Sequence, residues 1–260
     1  MMPNMEISTV VGCKMNCSYC PQKIHIKKYT EKSRAVKMTM EVFDKCLSKI
    51  PLNVEILFAG MAEPWLNPNA TEMLLLAHSR GYKIGVYTTT VGMDFDDIDK
   101  IKRFDFLHFC IHLPDGDGNM KVEITDEYKN VLSHAMQIKH NLVCIGKIHP
   151  ELVPIVGEVP DSSAGLLSRA GNLKSLAIEP KKGKLKCSAC GDKIDHNILL
   201  PNGDVILCCM DYSQEHVLGN LITDSYEDLF QSDEYKRVMN GLEDETIDIK
   251  CRQCELAIPT

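Results

Sequence analysis

Twelve cysteines stand in 260 residues, at 13, 17, 20, 46, 110, 144, 187, 190, 208, 209, 251 and 254. Nine of them fall in two groups at the ends of the chain. Cys13-Lys-Met-Asn-Cys17-Ser-Tyr-Cys20 puts three thiols within eight residues. Thiolates select zinc or iron–sulfur clusters. A structural site of either kind closes with four protein ligands, so three cysteines on a four-iron cluster leave one iron open to react. A structural zinc site completed by His25 is the competing reading, but its Cys-x3-Cys-x2-Cys-x4-His order does not match the paired ligands of zinc fingers. The second group is Cys187-x2-Cys190, the doublet Cys208-Cys209, and Cys251-x2-Cys254. A Cys-x2-Cys turn can aim both sulfurs at one metal, so a four-cysteine zinc site and a closed iron–sulfur cluster fit this spacing equally. Strand alternation would send the doublet's side chains to opposite faces and leave one of them as a ligand. Cys46, Cys110 and Cys144 sit singly in apolar stretches and are expected in the core.

Composition narrows the setting. The chain is 44% apolar and 25% charged, with a net charge of −7. These values exclude a disordered chain, a collagen-like fibre and a coiled coil. A secreted disulfide scaffold would be shorter and would carry an export signal, and Met1–Thr9 has no basic segment leading into a long apolar one. No run approaches the ~18 apolar residues of a membrane span. A cytoplasmic protein that does not engage a membrane is expected, and the acidic balance argues against a duplex nucleic-acid partner.

These cysteines need a scaffold. Strands are expected at Glu6–Val11, Val54–Ala59, Lys83–Thr89, Phe106–Leu113 and Leu142–Ile148, and helices at Thr39–Ile50, Asn69–Arg80, Asp94–Arg103 and Thr125–Lys139. Thr39 caps the first helix, Pro51 follows its end, and Gly81 stops the second. Strand-then-helix alternation predicts a parallel sheet with helices outside it. Only about five such units precede residue 150, whereas an eight-unit barrel needs roughly 250 residues. An α/β fold is therefore expected, a partial TIM-like barrel of about five to six strands. The first cysteine group follows the first strand, at the edge where parallel α/β folds build their sites. Lys23, Lys27, Lys28, Lys32, Arg34 and Lys37 read as a basic loop in an acidic protein, and Lys181–Lys186 as a flexible basic stretch. His196–Cys209 reads as a hairpin about Pro201-Asn202-Gly203-Asp204. Ser225–Leu242 reads as one helix capped by Ser225, with Asp228 in its first turn. The division expected is a core of residues 1–165 and a small hairpin-plus-helix domain of residues 166–260.

Cys-x3-Cys-x2-Cys, with the aromatic Tyr19 beside its last cysteine, resembles the signature of radical S-adenosylmethionine (SAM) enzymes. The resemblance implies a [4Fe–4S] cluster on Cys13, Cys17 and Cys20 whose free iron chelates SAM. One electron then yields methionine and a 5′-deoxyadenosyl radical, which takes hydrogen from a substrate. Gly60-Met61-Ala62-Glu63-Pro64 resembles the family's Gly-Glu-Pro segment, with Glu63 and neighbouring backbone holding the SAM ammonium; Ala62 stands where the family often has glycine. Tyr87-Thr88-Thr89-Thr90 resembles the segment near the ribose, which makes Thr88 and Thr89 hydroxyl contacts; the plain alternative is buried strand threonines.

The stretch Leu199–Tyr212, then Leu218-Gly-Asn-Leu, Ser225–Phe230 and the closing Cys-x2-Cys resembles the SPASM/Twitch extension of these enzymes. Two auxiliary clusters need more cysteines than the six found here, so the resemblance implies one auxiliary [4Fe–4S] cluster, on Cys190, Cys208, Cys251 and Cys254, with Cys187 and Cys209 as alternates. The size and Ser168-Arg-Ala-Gly-Asn172 resemble the 2-deoxy-scyllo-inosamine dehydrogenase type. Arg169 is expected in a loop at the mouth, orienting a hydroxyl, carboxylate or phosphate. His108 and His112, four apart, share a strand face. His112 reaches substrate if that face looks inward. The implied function is hydrogen abstraction from a small polyhydroxylated molecule (a cyclitol, aminosugar or nucleotide sugar), with the auxiliary cluster assisting electron transfer. The basic run would steer an anionic substrate, or a flavodoxin or ferredoxin-type reductant, to the site. Radical modification of a ribosomal peptide, by epimerisation or crosslinking, is the alternative, and a non-catalytic zinc or iron–sulfur interaction module the remote one.

Overall fold

The computed structural model describes residues 2–260. Its central strand is β1 (Asn4–Ile7), in which Met5 and Ile7 are fully buried. After it come α1 (Gln22–Lys32), α2 (Met40–Leu47), β2 (Glu55–Phe58), α3 (Ala70–Ser79), β3 (Ile84–Thr88), α4 (Phe95–Ile101), β4 (His108–Leu113), α5 (Asp126–Ala135), β5 (Asn141–Cys144) and the single turn α6 (Val153–Val156). The C-terminal part adds β6 (Leu185–Cys187), β7 (His196–Leu199), β8 (Asp204–Ile206), β9 (Val217–Asn220), α7 (Tyr226–Leu229), α8 (Asp233–Glu243) and β10 (Ala257–Pro259). The main sheet runs β5-β4-β3-β2-β1-β7-β8-β9. Its first six strands pair in parallel, as the alternation predicts. The sixth parallel strand, however, is β7, from the C-terminal part, in register Asn4↔His196 through Ile7↔Leu199. A separate two-stranded sheet joins β10 to β6. No helix among the described residues is long and apolar enough to cross a membrane.

Local chemistry sets most element ends where expected. Thr39 Oγ1 accepts from the Val42 amide to cap α2. Asp94 and Asp97 cap α4 reciprocally, as Ser225 and Asp228 cap α7. The turn between β7 and β8 closes with the Gly203 amide on Leu200 O at 2.9 Å. Cys46, Cys110 and Cys144 lie in the core.

Four expectations are corrected. The first strand stops at Ile7 and does not reach Val11, because Ser8 and Thr9 bond elsewhere. Ser8 Oγ donates to Val10 O, and Thr9 Oγ1 to Pro64 O at 2.7 Å. The basic "loop" is largely helix α1, whose buried stripe of Gln22, His25 and Tyr29 packs inward while its lysines face solvent. The flexible stretch ends in β6, ordered by its pairing with β10. The single long helix is two, because Ser232 caps a new one by accepting from the Tyr235 amide.

His25 anchors α1 with a fully buried ring. Gln214 Nε2 meets both its Nδ1 and its carbonyl at 3.1 Å. Burial pushes its pKa down to about 4. The unfolded chain therefore takes up the proton first as pH falls. The stability contributed is complete above about pH 6.5 and is lost as pH falls toward the folded value. Wild-type protein should lose about 2 kcal/mol more than His25→Leu between about pH 7 and pH 5. Urea midpoints at the two pH values check this, and equal losses would refute it.

Candidate active site

The three cysteines of the first group follow β1 on a loop clamped from the far side of the sheet. Buried Asp115, just past β4, accepts the amides of Asp117 and Asn119 at 2.9 Å and Met120 at 2.8 Å. That folded segment holds the cysteine loop. Ser18 N donates to Asn119 O and Lys121 N to Met15 O, both at 2.8 Å. Cys13, Cys17 and Cys20 then line one cavity of about 160 Å³. Tyr19, Gly60, Met61, Ala62, Glu63, Thr88, Thr89, His112 and Arg169 line the same cavity. All twelve residues singled out for this site are thus brought together. A larger open groove of about 600 Å³ beside it shares only Met15 with this cavity and holds no cysteine.

Glu63 faces the thiols as a rigidly held carboxylate. Its Oε1 accepts from Thr88 Oγ1 at 2.7 Å and from the Trp65 amide at 3.3 Å. Its Oε2 accepts from the Thr89 amide at 2.6 Å and Thr89 Oγ1 at 2.8 Å. Burial pushes its pKa up, and these donors oppose the rise. Here both threonine hydroxyls hold Glu63. Gly60 lets this segment pass close to the residue that follows β1. Its φ is +72°, and a Cβ there would lie 2.9 Å from the Ser8 backbone.

Arg169 enters from a turn in which Arg169, Ala170 and Gly171 all have positive φ, at 54°, 49° and 75°. Such runs are costly and persist only where surrounding contacts impose them. Asn172 Nδ2 donates to Arg169 O at 2.7 Å, Ser168 Oγ accepts the Gly171 amide at 3.0 Å, and Glu255 accepts the Ser168 amide at 2.6 Å. The guanidinium lies 5.9 Å from the Tyr212 ring centre. His112 stands edge-on to Tyr87, and burial, with the Arg169 charge, pushes its pKa down, which favours the neutral ring. His108 is on the same face beside Tyr87 but does not line the cavity.

Two contributors were missed in the sequence. Tyr212 lines the cavity with its hydroxyl 3.3 Å from Cys20 Sγ. Gln22 lines it too, with Nε2 3.3 Å from that sulfur and with an Oε1 that is buried and unpartnered. Their proximity to cysteine in sequence was the available signal.

The second group converges as well. Cys187, Cys190, Cys208, Cys209, Cys251 and Cys254 line one cavity of about 70 Å³. The doublet nevertheless divides: Cys208 packs with Cys187, Cys190, Cys251 and Cys254, whereas Cys209 packs into the separate cluster of Tyr29, Met61 and Tyr212 beside Cys20. Ligand atoms of Cys190, Asp195 and His196 also lie within 4.8 Å of one another. Glu6 on β1 lines this cavity and accepts the Gly60 amide at 3.1 Å. Both thiol sets fit iron–sulfur ligation: three thiols with an unpartnered amide oxygen and a carboxylate alongside, and a thiol-rich closed cavity.

Comparisons with known proteins agree. No curated protein matches the chain by sequence. The profile of an iron–sulfur cluster-binding domain, SPASM, matches residues 182–255. Solved structures of similar fold include BtrN in complex with AdoMet and 2-DOIA (15% identity, covering 98% of this chain and 93% of that one, TM-score 0.65). anSMEcpe with bound AdoMet and Kp18Cys peptide is also similar (12%, 97% and 86%, TM-score 0.58). So is SuiB of Streptococcus suis bound to its precursor peptide SuiA (12%, 98% and 70%, TM-score 0.57). At these identities they show a shared fold. The profile of the radical SAM superfamily matches residues 7–142, and with it the chain belongs to that superfamily, as an enzyme with a C-terminal SPASM-type domain whose cofactors are [4Fe–4S] clusters and SAM.

Proposed function

We propose that SAM binds between the Cys13–Cys20 loop and Glu63, and that the substrate is a small polyhydroxylated molecule of the cyclitol, aminosugar or nucleotide-sugar kind. Arg169 carries this reading. It lines the thiol cavity, and it has no carboxylate salt bridge among the described residues. A guanidinium so placed is suited to fixing a hydroxyl pair or an anionic group. When bound, the open cluster supplies the electron that splits SAM into methionine and a 5′-deoxyadenosyl radical, and the auxiliary cluster supplies an electron-transfer partner.

The chain's own residues do the rest. Cys13, Cys17 and Cys20 hold the first cluster. Cys190, Cys208, Cys251 and Cys254 hold the second. Glu63 offers its negative charge to the SAM ammonium, and either threonine hydroxyl can rotate to release a lone pair. His112, which lines the same cavity, would take a proton from a substrate hydroxyl. Residues 1–165 make the radical, and residues 166–260 add the auxiliary centre together with Arg169 and Tyr212. A flavodoxin or ferredoxin-type reductant and a cytoplasmic setting complete the proposal. The peptide-bound folds of similar structure favour a second reading, modification of a ribosomal peptide.

Glu63→Gln should weaken SAM binding by about 10- to 100-fold, the effect of removing charge from a buried hydrogen-bonded pair. Equilibrium dialysis with labelled SAM measures this beside the unchanged cluster absorbance, and wild-type affinity would refute the role. Substrate class is tested by anaerobic incubation with the dialysable and peptide fractions of a cell extract. The dialysable fraction should stimulate 5′-deoxyadenosine formation, and Arg169→Gln should abolish the stimulation while sparing substrate-free cleavage. Stimulation by peptides alone selects the second reading.

A further inference from the structure

The cysteine loop has a second, outward side. Cys17 and Cys20 line the inner cavity, and they also line an open groove of about 390 Å³ whose rim carries Lys23 and Lys121. From that rim α1 runs outward, starting two residues after Cys20. Lys23, Ile26, Lys27, Lys28 and Lys32 are exposed on it, and Arg34, Val36 and Lys37 are exposed just beyond. Six cations thus stand on a chain whose net charge is −7, with Glu31 the one anion among them. Glu31 is engaged by Lys28 alone.

The patch has an apolar centre. Ile26 and Val36 are 36% and 45% exposed. Both lie against the two residues that precede Cys13. Val11 N donates to Val36 O at 2.8 Å, and a Cβ on Gly12 would lie 3.8 Å from Ile26. The surface is also stiff, because the opposite stripe of α1 is bonded into the molecule. Gln22 reaches Cys20 Sγ at 3.3 Å, His25 is held by Gln214, and Tyr29 Oη donates to Ala35 O at 2.6 Å. A small apolar centre ringed by like charges is the form of a transient, electrostatically steered interface.

We infer that the exposed face of α1 and the segment Arg34–Lys37 dock an acidic one-electron carrier protein, one bearing a flavin or an iron–sulfur centre, beside the Cys17–Cys20 groove. The inference rests on the radical SAM reading and specifies the partner surface. In the encounter the reduced carrier loses one electron to the enzyme and no bond forms or breaks. Fixed positive charge raises the on-rate for an acidic partner, and salt screens it.

The test uses cluster-loaded enzyme, a reduced acidic flavodoxin and dithionite as the small chemical reductant. Lys23→Glu/Lys27→Glu/Arg34→Glu should weaken flavodoxin binding about tenfold or more by calorimetry at low salt, and wild-type binding should weaken as salt rises. Carbodiimide crosslinks from the carrier should map to Lys23, Lys27 or Lys28. Flavodoxin-supported SAM cleavage should fall in step, with dithionite-supported cleavage unchanged. The inference is overturned if binding is unaltered, if crosslinks map elsewhere, or if both reductants lose rate equally. It is also overturned if dithionite-driven substrate turnover falls while substrate-free cleavage does not, which would assign the patch to an anionic substrate. Failure of wild-type enzyme to cleave SAM with dithionite would instead sink the radical SAM reading itself.

Discussion

Parallel pairing of β7 with β1 is the contact on which the rest of this structure depends. Four residues near the N-terminus, Asn4–Ile7, take His196–Leu199 as their neighbour across a loop closure of about 190 residues. The pairing is central in the sheet, so both strands are buried and their register is firmly set. Everything C-terminal to β7 is then aimed. The segment after β8 must pass the mouth of the barrel, and it presents Cys208 to the late thiols and Cys209 and Tyr212 toward Cys20. Through Tyr212 and Cys20, 3.3 Å apart, the two cysteine groups become neighbours.

The site is also a place where buried polar groups must be satisfied locally. Glu63 is almost wholly enclosed, and a lone buried carboxylate is costly. Four donors from Trp65, Thr88 and Thr89 offset that cost and leave the group rigid. Arg169 is held differently, by a backbone turn. Its run of positive φ is strained, and Glu255, from the chain's last turn, helps to impose it. The placement of Arg169 thus depends on the C-terminal cysteine segment being folded.

Much of the fold was legible in the sequence, because its signals are local. Thr39, Gly81, Asp94 and Ser225 mark ends through bonds to residues two to four away. Two of the failures share a long-range cause. The strand expected to reach Val11 is cut short by Thr9 bonding Pro64, 55 residues away. The helix α1 carries four of the six cations of the run read as a loop, and its three-residue buried stripe, with partners as distant as Gln214, holds it in place.

For the site, the division is similar. Residue type and spacing narrowed the chemistry to thiolate metal binding: three thiols in eight residues, a carboxylate after the second strand, and six further thiols near the end. Thiolate selectivity and Cys-x2-Cys geometry belong to the covalent chain and survive in any fold. Tertiary structure alone decided that Tyr212 meets Cys20, that Cys208 is the doublet member packed with the other late thiols, and that Thr88 and Thr89 hold Glu63. Those are long-range contacts, set by which strands pair and where a strand ends. No periodicity within a short window encodes them.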